Sequence, residues 1–143
     1  MSVSRVQLIA EALIARIAAV SGIGDTGLVP VPQTRISTYP ACFLAGVEGE
    51  AEPGTMGGAG RKDATADYIW VIYTRDVDAF LTLADVRKSI NDAIETTPYD
   101  LGVDGVMRPF CKGFKLYNPA TSTEIGVAEL TVNVRYVEAY GSA

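Results

Sequence analysis

Asp67-Tyr68-Ile69-Trp70-Val71-Ile72-Tyr73-Thr74 decides the fold, because every residue after Asp67 is β-branched or aromatic. Such side chains lose rotamer freedom in a helix and pack well on a pleated surface, so the stretch predicts a strand. It is apolar on both sides. Tyr68, Trp70 and Ile72 form one face, and Ile69, Val71 and Tyr73 the other. A layer of helices covers one face of a sheet, so a second cover is required. Aromatic residues are favoured at interface cores, which makes Tyr68 and Trp70 candidates for a subunit contact. Burial within one chain is the equal alternative.

Working outward, the last third of the chain reads as a hairpin. Phe110–Tyr117 is one strand, Asn118–Ser122 the turn, and Glu124–Glu138 the return strand. The return strand alternates cleanly, with Ala128, Leu130, Val132, Val134 and Tyr136 on one side and Glu129, Thr131, Asn133 and Arg135 on the other. Before the opening strand, Ala41–Glu48 alternates more loosely, placing Ala41, Phe43, Ala45 and Val47 together. Gly49–Lys62 lies between these two strands and holds five glycines and a proline. That is longer than a hairpin turn requires, so the expectation is a long flexible hairpin arm over 49–66, ordering against a partner.

Two amphipathic helices complete the pattern. Val6, Ile9, Ala10, Leu13, Ile17 and Val20 recur at helical spacing and predict a helix over 4–21, with Ser4 and Gln7 at capping-box spacing and Gly22 at its exit. Phe80, Leu83, Val86, Ile90 and Ile94 predict a second over 79–97, capped by Asp78 or Thr82 and ended by Pro98. Residues 22–40 read as a surface connection with a short extended piece at Thr34–Ser37. The order α-β-β-α-β-β gives an α+β two-layer sandwich: a mainly antiparallel sheet with both helices on one face and a polar second face. Residues 1–143 form a single domain.

Composition narrows the function. Twelve basic residues stand against seventeen acidic, a formal charge of −5, so no cationic field favours tight binding of nucleic acid. No apolar run approaches the roughly 18 residues of a membrane span, and no signal peptide is visible, which points to synthesis in the cytoplasm. Histidine is absent, and with it the usual general base, the Ser–His and Cys–His pairs and the commonest metal ligand. Cys42 and Cys111 fit no Cys-x-x-Cys pattern and read as small buried apolar residues, with a disulfide or redox site the lesser option.

The remaining motifs resolve into surface chemistry. Gly54–Lys62 fails as a phosphate loop, since Gly60 is followed by Arg61, Lys62 and Asp63 and then by a strand. Glu48, Glu50 and Glu52 lead into it and would repel phosphate. These acids and the Asp76/Asp78 pair lack the further oxygen ligands a hard cation needs, and read as solvated surface. Arg61-Lys62 is too short for a nucleic-acid patch and suits a neighbouring acidic surface. No catalytic, cofactor-binding or metal-binding residue is expected. The candidate interface set is Glu48, Glu50, Arg61, Lys62, Tyr68, Trp70, Glu129, Asn133 and Arg135.

The layout as a whole resembles the tail terminator, or tail-completion, proteins of tailed bacteriophages. The resemblance rests on the small-residue helix Val6–Val20, then Tyr39-Pro40-Ala41-Cys42-Phe43-Leu44, a long hairpin, Tyr68-Ile69-Trp70-Val71-Ile72-Tyr73, the helix around Leu83-Ala84-Asp85-Val86-Arg87 and a terminal hairpin. It implies a structural virion protein, a hexameric ring at the head-proximal end of the tail, made in the host cytoplasm. Such a ring ends tube polymerisation and receives the head. Its implied partners are further copies of itself, the tail tube protein, the head–tail connector or neck protein, and the sheath protein in a contractile tail. DNA passes through without specific binding, no membrane is involved, and no cofactor or catalytic residue is implied. The alternative is a small α+β enzyme or ligand-binding domain acting as a monomer or dimer without histidine.

Overall fold

The alternation at the C-terminal end organises the molecule. Ala128, Leu130, Val132 and Val134 are fully buried and Tyr136 nearly so, while Glu129, Thr131, Asn133 and Arg135 lie on the opposite face. The computed structural model describes residues 4–24, 26–28, 40–53, 61–74, 79–96, 101–103, 105–117 and 126–139. Its elements are α1 (Arg5–Ala18), β1 (Thr26–Leu28), β2 (Ala41–Pro53), β3 (Arg61–Thr74), α2 (Ala79–Ile94), β4 (Phe110–Tyr117) and β5 (Gly126–Ala139). The sheet order is β1-β2-β3-β5-β4, antiparallel except that β1 runs parallel to β2. This is the expected α+β class.

β3 and β5 stay in register without a break from Arg61↔Ala139 to Thr74↔Gly126, and form the spine of the sheet. The strands flanking them are each bulged, β2 between Leu44 and Gly46 and β4 between Cys111 and Gly113. Ile9, Leu13 and Ile17 of α1 and Leu83, Ile90 and Ile94 of α2 are fully buried against Tyr68, Trp70, Ile72 and the inward residues of β5. Burying such side chains contributes about 1.5–3 kcal/mol each, which holds the helices on this face.

Local chemistry accounts for the helix ends. Ser4 Oγ accepts the Val6 N–H at 3.2 Å, the expected N-cap. Gln7 does not close a capping box; its amide donates to Glu11 at 3.2 Å. Gly22 takes φ +94°, the left-handed conformation that turns the chain away from α1. Thr82 lies inside α2 and is not its cap, while Asp78 and Pro98 fall outside the described residues. Arg16 of α1 donates from Nη1 to the carbonyls of Ile94 at 2.8 Å and Thr96 at 2.7 Å, so one helix caps the carbonyl end of the other.

Three expectations are corrected. The connection over 22–40 contains β1, which pairs with Cys42–Leu44; its residues lack the β-branched run that marks strands. Thr34–Ser37 lies outside the described residues. Most of the supposed flexible arm is strand, because β2 continues to Pro53 and β3 begins at Arg61, paired as Pro53↔Lys62. β5 supports that extension by pairing along β3 to its first residue, whereas a bare hairpin would be marginal. Residues 54–60 fall outside the described residues. Finally, Val47 does not share a face with Ala41 and Phe43. The extra residue Ala45 shifts the register, so Val47 sits opposite Tyr68 on the helix side.

Candidate functional site

The face of the sheet away from the helices divides into an apolar and a charged half. At the β2 start, Ala41, Phe43 and Tyr73 are buried together, with half-buried Val71 and Val127 against them. The Phe43 and Tyr73 rings are tilted with centroids 6.3 Å apart. The chain therefore covers part of its second apolar set by itself. Farther along, β2 brings up Glu48 opposite Asp67 and Glu50 opposite Thr65. An open groove of about 470 Å³ lies across the charged half, lined in part by Glu48, Asp67, Ile69, Lys112, Lys115 and Glu129.

Asp67 is the centre of that half. Asn133 Nδ2 donates to its Oδ1 at 2.7 Å and Lys112 Nζ to its Oδ2 at 3.0 Å. These contacts, that with Asn133 foremost, hold the Asp67 carboxyl below the usual aspartate range against the opposing effect of burial. Lys112 reaches this face because it sits at the β4 bulge. Glu95 secures the bulge from the helix layer, its Oε2 accepting the Cys111 N–H at 2.8 Å.

The open face is acidic toward β2 and β3, with Glu48, Glu50, Asp63 and Asp67, and basic toward β4, with Lys112 and Lys115. Phe110 is 47% exposed at the β4 edge, and Phe114 is 52% exposed beneath the Arg87 guanidinium at 4.1 Å. Among the described residues no group of three or more His, Cys, Asp or Glu is placed to hold a metal ion. Among them, too, no helix is long and apolar enough to cross a membrane.

Comparison with solved structures finds a likeness over nearly the whole chain. A chain from a structure titled "Virion of native gene transfer agent (GTA) particle" superposes with a TM-score of 0.69, covering 95% of this chain and 99% of that one. The likeness is one of fold. Sequence identity is 15%. No protein-family model and no curated protein matches the chain.

Seven of the sequence-derived interface candidates can be placed by side chain and face. Glu48, Glu50, Glu129, Asn133 and Arg135 share the open face. Trp70 does not, and neither does Tyr68; both are fully buried under the helices, which removes them from any subunit contact. The Tyr68 hydroxyl donates to the Val6 carbonyl at 2.9 Å, tying β3 to the start of α1, and burial pushes its phenol pKa up. Arg61 and Lys62 are strand residues at the far end of β3, opposite Ala139 and Glu138.

Asp67, Lys112 and Lys115 escaped the sequence reading. Asp67 shares its face with Ile69, two positions on, and pairing it with Asn133 needed only the β3–β5 register. Lys112 carried no such signal, because a bulge leaves no trace in a period-two pattern.

Proposed function

We propose that this protein is a structural subunit of a phage-like virion, a tail terminator forming a hexameric ring at the head-proximal end of the tail. The observation that carries the reading is the end-to-end likeness to a chain of the gene transfer agent virion, which leaves neither chain with a large unmatched part. An open, charged groove on the sheet face supports it, since an open surface of mixed charge suits protein partners better than the enclosed, mainly apolar pocket of a small ligand. The role is non-enzymatic. Its partners are further copies of the chain, the tail tube protein, the connector or neck protein, and a sheath where the tail contracts. Net charge of −5 suits a ring through which DNA slides, because such a wall does not grip phosphate.

Interrupting the gene in a producing strain tests the role. The expected particles have tail tubes of uncontrolled length, or finished tails that fail to join heads, and adding the purified protein restores joining. Normal tails joined to filled heads in its absence would overturn the proposal.

A further inference from the structure

We infer that the subunits meet head to tail through their sheets, the basic β4 edge of one copy lying along the acidic outer half of β2 of the next. The inference deepens the ring reading and rests on it. Three observations support it. The outer strands of the open face carry opposite charges, Glu48 and Glu50 on β2 and Lys112 and Lys115 on β4, three strand spacings or about 14 Å away, while β5 between them holds one charge of each sign in Glu129 and Arg135. Each edge therefore matches the other and repels itself, which favours a heterologous contact over a two-fold one.

Strand direction agrees. β2 is antiparallel to β3, β3 to β5 and β5 to β4, so β2 and β4 run in opposite senses. A second copy set beside β4 in the same orientation presents its β2 antiparallel to it, and both helix layers stay on one side. Length agrees as well. β4 spans Phe110–Tyr117, and β1 pairs only with Cys42–Leu44, leaving the outer side of Gly46–Pro53 without a strand among the described residues. The two stretches are of equal length. A contact that repeats by rotation closes into a ring.

Charge reversal on the full chain tests the pairing. Lys112→Glu/Lys115→Glu makes both edges acidic, and Glu48→Lys/Glu50→Lys makes both basic. Each variant alone should assemble at least about tenfold more weakly than the wild type, because every contact becomes repulsive. An equimolar mixture should recover assembly, with the two variants alternating around the ring in native mass spectra. Lys112→Gln/Lys115→Gln guards against misfolding of the reversed chain and should also weaken assembly, while Lys112→Arg/Lys115→Arg should retain it.

Wild-type assembly by every variant would overturn this pairing and leave the ring intact. Stronger assembly by the glutamine variant would also overturn it, since the lysines would then be guarding a bare edge. A wild-type chain that stays monomeric both in solution and on tail ends would remove the ring and the pairing together.

Discussion

Asp67 and Lys112 belong to strands that are not neighbours, yet Lys112 Nζ lies 3.0 Å from Asp67 Oδ2 across the intervening β5. Asn133 on that strand completes the link at 2.7 Å. A cross-sheet tie of this kind holds the bulged β4 flank to the spine at the point where β4 departs from regular pairing.

The tie has a pH signature. The folded carboxyl of Asp67 titrates below its unfolded value, so the stabilisation is present above the ordinary value of 3.8 and is lost as pH falls through the lower folded one. Asp67→Asn should lower Tm by a few degrees at neutral pH, equivalent to about 1 kcal/mol or less for a partly exposed pair. The difference from wild type should vanish in acid. Melting curves of the two proteins from neutral pH into strong acid check this.

Trp70 is a folding residue. Trp70→Ala should cost about 3–5 kcal/mol, and Trp70→Glu should prevent folding by burying a charge under the helices. Far-UV circular dichroism and denaturant titration of the isolated subunit would register both effects before any assembly assay. A Trp70→Glu chain with native stability would contradict the burial described.

Arg16 joins the two helices at their ends. Arg16→Ala should cost about 1–2 kcal/mol, because the carbonyls of Ile94 and Thr96 lose a charged donor. Arg16→Lys should recover only part of the loss, since an ammonium does not reproduce the planar guanidinium. Amide exchange at the C-terminal turn of α2 should rise in step with the loss.

Both thiols should be inert in the folded protein. Burial pushes Cys42 up to about 12, and burial with the nearby Glu95 carboxylate pushes Cys111 up to about 12. β3 and β5 separate their strands, so an internal disulfide is out of reach. A thiol reagent in mildly alkaline buffer should label neither residue until denaturant is added, and then both. Each raised thiol contributes stability that is full below the unfolded value of 9.0 and is lost as pH rises toward about 12. Cys42→Ala should flatten part of that alkaline decline.

Periodicity carried the fold. The stripes of α1 and α2 and the alternation of β5 each came from side-chain spacing, and each buried the face it predicted. Sequence alone did not disclose pairing. Tyr68 and Trp70 were legible as apolar, but which face of β3 met the helices depended on the β5 register. Gly49–Pro53 read as loop because glycine and proline weaken a strand, and a neighbouring strand supplied the order that propensity lacked. The charged half of the open face was half legible for the same reason: Glu48 and Glu50 lie in the regularly paired part of β2, and Lys112 lies in the β4 bulge itself.

The bulge at Ala45 makes β2 tolerant of a change in length. Leu44 and Gly46 pair with the consecutive residues Trp70 and Ile69, so Ala45 is surplus to the ladder. Its deletion would leave Val47, Glu48 and Glu50 opposite the same partners on the same sides. One position in the strand can thus be gained or lost without re-sorting the residues beyond it, and a chain drifting in sequence could adjust its reach there while keeping its charges where a neighbour expects them.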